Sequence, residues 1–583
     1  MANITLLGSS STPLSLASSD NLYVSANGSL LVTAGTAPAI GTTSTSVSAI
    51  DAVIDGRIVN MNVASAIQFH RALETDQGSN MVTIGTNGFI SSATDFFDGA
   101  IDMVGTSNTV INFGMIISDG SGIQIDGARA LVRNTGTISA TATGISLRGD
   151  DARIINSGQV QGINGLSVSG ADTRVENTGY VEASNSGGGS GIGGVNFSSV
   201  TQSQFINAGH VSSVTGNGLN INAASLGKMF VENSGTISAA NSGVELAGSA
   251  ATLTLQNSGL ISGNDDGVYA FTGDVHILNA ATGRISSTGG DALDIREELD
   301  LVNYGEVTAS GPTARAIVLG ANAGFSSITN HGHIATTFGS AIDASALLVG
   351  GALFVTNHGS IEGNYTGSGA VDVLRNFGTM SAMFTGNGND QLRNAGLINS
   401  VVLLGSGADT YRGSLGRVEG YVDAGQDNDS VIGGAFEDDF RGGTGDDLIE
   451  GRDGDDSLAG SGGADTLKGG SGDDEIAGGT EQDLMTGGAG GDVFVFTSAL
   501  DISSGALRDR ITDFGTGADK IDLSAFMAGA SFIGGSSFSG TAPEIRHNAA
   551  NGLLIGDVNG DGVADWTLVL GGASVFTAGM LVL

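Results

Sequence analysis

Seven aspartates recur every nine residues: Asp438, Asp447, Asp456, Asp465, Asp474, Asp483 and Asp492. Each is the sixth residue of a nonapeptide that opens on glycine. From Gly433 to Val495 these read GGAFEDDFR, GGTGDDLIE, GRDGDDSLA, GSGGADTLK, GGSGDDEIA, GGTEQDLMT and GGAGGDVFV. Two positions after each aspartate stands an apolar residue: Phe440, Ile449, Leu458, Leu467, Ile476, Met485 and Phe494. Glycine reaches φ > 0 and lets the backbone approach an ion closely. Carboxylates and backbone carbonyls together are what calcium takes as ligands, about six to eight oxygens per ion. The candidate ligands are therefore the seven aspartates, Asp429 before them, and the turn glycines Gly443, Gly445, Gly454, Gly463, Gly470, Gly472, Gly488 and Gly490. Phe436 and Glu481 break the pattern at the fourth position, and occupancy is least expected beside those turns.

Such ligands need short strands to hold them. The eighth-position residue points inward from one strand, and two nonapeptides complete a coil, so calcium sits between stacked turns. Residues 421–492 hold 19 acids against Arg441, Arg452 and Lys468. Without a cation that segment repels itself and stays unfolded.

A second repeat fills the preceding four hundred residues. Asn-x-Gly followed one residue later by an apolar side chain recurs at Asn112, Asn134, Asn156, Asn177, Asn207, Asn233, Asn257, Asn303, Asn330, Asn357, Asn376 and Asn394, with a longer variant at Asn279. Most spacings are 21 to 27 residues. Apolar residues such as Val132, Ile155, Val175, Phe205 and Val231 precede the asparagines. A period of this length with two or three short strands marks a solenoid. Alternation without helical periodicity makes it a β-solenoid of thirteen or more coils. The turn asparagines are expected to stack from coil to coil, and the glycines to occupy turns with φ > 0. Glycine numbers 97 and proline only 4, which favours tight turns over simple disorder. The degenerate nonapeptides TGNGNDQLR and LGSGADTYR, from Thr385 and Leu404, place the passage from solenoid to roll without a flexible linker.

The fold expected is all-β. Residues 1–60 are a cap or attachment region, 61–423 a parallel β-helix, 424–495 a calcium-binding β-roll, and 496–583 a small C-terminal β module. The nonapeptides resemble the calcium-binding repeats of RTX proteins. FVFTSALDISSGALRDRITDFGTGADKIDLSAF, with DRITDF at Asp509 and DKIDLSAF at Asp519, resembles the C-terminal module of serralysin-type RTX proteins. That resemblance covers roughly residues 424–583. It implies export by a type I route to the outside of a Gram-negative cell, directed from the C-terminus, where the chain ends GMLVL. The start, MANITLLGSSSTPLSL, does not read as a Sec signal peptide. A further loop, DVNGDGVADW, spaces Asp557, Asn559, Asp561 and Asp565 like the first half of an EF-hand. Leu568 at the twelfth position excludes an EF-hand, and a polar β-turn is the alternative to a calcium site there.

Net charge is −38, and the lysines are Lys228, Lys468 and Lys520, so a basic nucleic-acid footprint is excluded. No run is apolar enough to span a membrane as a helix. The histidines, His70, His210, His276, His331, His333, His358 and His547, form no HExxH zinc motif. The dense charged patch Asp291, Asp294, Arg296, Glu297, Glu298, Asp300 reads first as a solvated outer face, with paired-carboxylate glycosidase chemistry as the alternative. Two classes of function remain. One is a secreted, calcium-dependent structural protein that self-associates as a lattice subunit, filament or adhesin, with a possible cell-surface polysaccharide partner. Export route and calcium repeats resemble those of Gram-negative S-layer proteins. The other is a secreted β-helix carbohydrate-active enzyme with an RTX tail. No catalytic residue is assigned.

Overall fold

The computed structural model describes residues 3–10, 12–16, 21–32, 39–42, 51–60, 67–69, 80–93, 99–184, 193–223, 227–248, 251–502, 508–515, 517–572 and 575–583. By contact the chain divides into two units. One is Met1–Ala323 with Gly332–Gly339; the other is Gly324–His331 with Ser340–Leu583. Among the described residues there is no α-helix, and one 3-10 turn, Ala578–Met580, precedes the end of the chain.

In the first unit each coil is three short strands, and each strand pairs in parallel with its counterpart one coil on. Leu131–Asn134, Arg153–Asn156 and Arg174–Asn177 form one ladder in register, so Asn134, Asn156 and Asn177 align. Thr137–Ala140, Gln159–Gly162 and Tyr180–Ala183 form the second, and Thr143–Arg148 and Asn164–Ala171 belong to the third. Period-2 alternation sends every other side chain inward. Val132, Ile154, Val175, Phe205 and Val231 stack as one fully buried row. The phase matters here: Ile155, next to the turn asparagine, is only half-buried, and Ile154 takes the inward place. The same parallel ladder already includes Asn3–Leu6, Asn21–Val24 and Asp51–Ile54. His70 lies outside the described residues.

The turn asparagines form the expected column. Nδ2 of Asn112 donates to Oδ1 of Asn134 at 2.8 Å, and the pattern repeats through Asn156, Asn177, Asn207, Asn233, Asn257, Asn279 and Asn303 at 2.8–2.9 Å. Each amide spans its own turn and the next coil, so buried donors and acceptors are consumed in pairs. The turn glycines are required for a different reason than expected. Gly235 does not adopt positive φ. A Cβ there would lie 2.0 Å from the carbonyl oxygen of Gly209 in the preceding coil. Coil-to-coil contact, not φ, excludes a side chain.

In the second unit a parallel ladder runs unbroken from Phe325–Asn330 through Val371–Asn376, Gln391–Asn394 and Thr410–Arg412 to Leu448–Asp453, Thr466–Ser471 and Leu484–Ala489. Its coils carry both systems at first: Asn330, Asn357, Asn376 and Asn394 continue an asparagine column at 2.9 Å. The motif DRITDF contributes Arg510–Ile511, which pairs with Leu484–Ala489 on one side and Trp566–Leu570 on the other. Glu544–Asn548, Leu553–Asp557 and Trp566–Leu570 form an antiparallel sheet over buried Trp566.

Candidate metal ladders

Between Val422 and Phe494 the coil closes in 18 residues, two nonapeptides. Ile449 aligns with Leu467 and Met485 on one face, and Phe440 with Leu458 and Ile476 on the other. All of these side chains are buried. In a strand of period 2, an inward eighth residue makes the sixth inward too. The aspartates are thereby held inside their turns, and each sixth-position carboxylate is buried.

They stack into two columns. In the first, the main-chain N–H of Asp429 donates to Oδ1 of Asp447 (2.8 Å), Asp447 to Asp465 (2.8 Å), Asp465 to Asp483 (2.9 Å) and Asp483 to Asp509 (2.9 Å). In the second, Asp438 donates to Asp456 (2.9 Å), Asp456 to Asp474 (2.9 Å), Asp474 to Asp492 (3.1 Å) and Asp492 to Asp519 (3.2 Å). One oxygen of every carboxylate from Asp447 and Asp456 onward is so consumed. The other, Oδ2, is buried and bonded to nothing in Asp429, Asp447, Asp456, Asp465, Asp474, Asp483, Asp492 and Asp509. A row of buried, unsatisfied acceptors is costly unless something supplies them with charge.

The turns leave room for that. The second and fourth residues of the repeats take positive φ: Gly443 and Gly445, Arg452 and Gly454, Ser461 and Gly463, Gly470 and Gly472, Gly488 and Gly490. Each first-position glycine faces the unbonded oxygen. A Cβ at Gly451 would lie 2.0 Å from Asp456 Oδ2, and one at Gly469 2.1 Å from Asp474 Oδ2. Glu481, where the sequence breaks the pattern, keeps the turn with φ 84°, beside Gly479 at 108°. Phe436 does not adopt positive φ. In that turn Asp438 Oδ2 is taken by the N–H of Gly434 at 3.1 Å, so Asp438 offers less than its neighbours.

Burial, followed by the neighbouring carboxylates, pushes these acids up: Asp429, Asp456, Asp465 and Asp483 to about 7. Asp492 rises to about 6 through burial and the charges of Asp519 and Asp474. Burial alone takes Asp438 to about 6, and burial with Asp446 does the same for Asp447. Oxygen-only donors, paired carboxylates on adjacent coils and carbonyl-bearing turns fit a calcium ion.

The columns are longer than the glycine-pair repeats. Asp372, Asp390 and Asp409 extend the first upstream, the N–H of each donating to the next Asp Oδ1 at 2.7–2.8 Å. Asp509 and Asp519 extend both into the DRITDF and DKIDLSAF motifs. The signal that finds them is the aspartate two places before an apolar residue: Leu374, Leu392, Tyr411, Ile511 and Ile521.

The loop at Asp557 is built otherwise. Asp557 is buried, but Oδ1 accepts the N–H of Gly560 (2.7 Å) and Oδ2 that of Gly562 (2.7 Å). Asn559 Oδ1 accepts from Asp561 (2.8 Å), and Asp565 Oδ2 from Val558 (2.7 Å). These side chains close the loop on its own amides, as in a polar turn.

In the first unit the charged patch is only partly a solvated face. Asp291 and Asp294 are buried, and with Asp266 their ligand atoms all lie within 4.8 Å of one another. Arg315 Nη2 pairs with Asp291 Oδ2 at 2.9 Å, and Arg296 Nη2 with Asp294 Oδ2 at 2.6 Å. Burial, then the neighbouring acids, pushes Asp266 to about 6. Among the described residues His331 stacks on His358 at 4.7 Å, and His210 on Tyr180 at 4.5 Å.

No curated protein matches the chain. Both aspartate columns lie inside residues 324–582, which match the family model Peptidase M10 serralysin C terminal.

Proposed function

We propose that this is a secreted, calcium-binding structural protein whose β-solenoid is locked by calcium in the aspartate columns and which self-assembles on a cell surface. The observation that carries this reading is the row of buried Oδ2 atoms without partners. Calcium supplies positive charge between stacked carboxylates. Asp447, Asp465 and Asp483 in one column, and Asp456, Asp474 and Asp492 in the other, supply its carboxylate oxygens. The turns at Gly443–Gly445, Gly470–Gly472 and Gly488–Gly490 supply carbonyls. Extracellular modules bind calcium at about 10⁻⁴–10⁻³ M, so a cytosol would leave the columns empty and the chain competent for export. The match at 324–582 is to a C-terminal module and not to a protease domain, and the structural reading assigns no catalysis.

Circular dichroism of the full chain in a calcium titration tests the proposal. β-structure should grow at millimolar calcium and fall back in EGTA. Identical spectra in both would refute it. Electron microscopy of the same samples should find ordered arrays or filaments only with calcium.

The enzyme reading draws on the Asp266, Asp291 and Asp294 group. Its spacing is close to the roughly 5–5.5 Å of retaining glycosidases, and one member is raised to about 6 by burial. Arginines neutralise the other two, which makes the group read first as an ion-pair network. A polysaccharide degradation screen that is positive for the wild type and negative for Asp291→Asn would favour the enzyme.

A further inference from the structure

The first aspartate column ends upstream at a carboxylate unlike the others in it. Asp372 is fully buried, and neither Oδ1 nor Oδ2 receives a well-aligned hydrogen bond, although the Tyr365 hydroxyl and the Ser368 backbone lie beside it. Elsewhere in the column Oδ1 accepts an amide from the coil before; at Asp372 that amide is missing. Its own N–H donates to Asp390 Oδ1 at 2.8 Å, and Asp390 Oδ2 is in turn buried and unbonded. Beside them stands the hydroxyl of Tyr365, also fully buried, with the Asp372 carboxylate as its neighbour and no well-aligned hydrogen bond. It is near enough to Asp372 for that carboxylate to add to the effect of burial in holding the phenol well above its ordinary value.

The space in front of these atoms is kept open. A Cβ at Gly367 would lie 2.2 Å from Asp372 Oδ2 and 2.1 Å from the carbonyl oxygen of Thr385. Among the described residues no basic side chain pairs with either carboxylate. Two carboxylates, a phenol and a backbone carbonyl are therefore brought together away from water, with Asp372 and Asp390 Oδ2 left without a well-aligned partner. Two negative charges on oxygen donors, shut away from water, match a divalent cation. Magnesium keeps several of its waters, and a gap closed by protein oxygens suits calcium better.

We propose that Asp372, Asp390 and Tyr365 form a further calcium site at the upstream end of the column, before the recognisable repeats. This site rests on the calcium reading of the columns. It differs from the nonapeptide turns, because Ser368 and Ala370, at the second and fourth places, do not take positive φ. Tyr365 stands in for part of the missing carbonyl cradle. The ion joins the coils at Tyr365 and Asp390, which still carry the asparagine column, to the calcium-dependent coils below. Calcium then orders part of the asparagine-bearing solenoid as well as the roll.

Bound calcium per full-length chain, counted by equilibrium dialysis with metal analysis, tests this in the wild type, Asp372→Asn, Tyr365→Phe and, for comparison, Asp465→Asn. Asp372→Asn should bind one ion fewer than the wild type. Tyr365→Phe should keep the count and release that ion at about tenfold lower chelator. Terbium in place of calcium gives a second readout. Tyrosine-sensitised emission should lose a component in Tyr365→Phe, and this decides the matter if Asp372→Asn does not fold. An unchanged count in folded Asp372→Asn, or unchanged terbium emission in Tyr365→Phe, overturns the head site while leaving the columns intact. A wild type that binds no calcium overturns both readings.

Discussion

Asp465 shows how one residue type serves two needs. Its Oδ1 holds the coil above through the N–H of Asp447, and its Oδ2 is left for an ion. Without calcium the folded carboxyl is pushed from 3.8 to about 7 by burial, then by Asp483 and Asp447. Below pH 3.8 the group is protonated in both folded and unfolded chains and has no effect on stability. Between 3.8 and about 7 the folded chain keeps a proton that the unfolded chain has released, so stability falls as pH rises. Above about 7 the full penalty is present. The calcium-free protein should therefore unfold at lower urea at pH 8 than at pH 5, and millimolar calcium should remove that trend by displacing the protons. A urea midpoint in EGTA that rises from pH 5 to pH 8 would contradict this. Asp465→Asn should gain about 1–2 kcal/mol in EGTA at pH 8, the order of one unsatisfied buried acceptor relieved, and should lose stability relative to wild type in calcium. Gly235 makes a second residue-scale test. Alanine is acceptable at its ordinary φ, yet the carbonyl of Gly209 occupies the Cβ position. Gly235→Ala should cost about 1–3 kcal/mol as an overpacked contact, read as a lower Tm. A neutral result would mean the coils move apart freely.

At the scale of the element, each coil is held by one buried amide at its turn. Asn156 donates to Asn177 and accepts from Asn134, both at 2.8 Å. Asn156→Ala removes both amide–amide bonds and those to the carbonyls of Gly158 and Tyr180, while Asn134 keeps its bonds to the carbonyls of Gly136 and Gln159 and Asn177 the N–H of Gly179. A loss of about 1–3 kcal/mol is expected, with faster amide exchange confined to the flanking coils. Exchange spreading evenly over the chain would argue against such local units. Much of this architecture was legible in advance, because periods of nine and of about 24 residues are written in Asp, Asn and Gly, whose turn roles are chemical. What was not legible depended on phase or on neighbours far along the chain. Ile154 and Ile155 are equally apolar, and only the strand register chooses between them. Asp372 sits in GAVDV and reads as a strand residue until Asp390 is seen beside it. Gly235 looks like a turn glycine, and its need appears only when Gly209 is placed against it. The loop at Asp557 has the spacing of a calcium loop, and the amides that its carboxylates bind appear only in the folded turn.

For the whole molecule the question is what allows a chain of net charge −38 to associate with copies of itself. Acids outside the columns are exposed on the turns of the second unit. Glu437, Asp439, Asp455, Asp473 and Glu475 line an open acidic groove of about 540 Å³. Asp455 Oδ1 already accepts the N–H of Asp473 at 2.8 Å, so these outer carboxylates are ordered but remain in water. At low calcium their repulsion keeps neighbours apart. At millimolar calcium the same groups can share ions between molecules, and contacts that do not close on themselves propagate as filaments or sheets. Folding and assembly then respond to different carboxylates. Replacing Asp455 and Asp473 by Asn should leave the calcium-induced circular dichroism change intact and raise the calcium needed for light scattering several-fold. Replacing Asp456 and Asp474 should weaken both. Scattering that appears at the same calcium in all three proteins would detach assembly from the acidic turns. A wild type that stays monodisperse at high protein and millimolar calcium would remove self-assembly from the function and leave the carbohydrate-active reading as the better one.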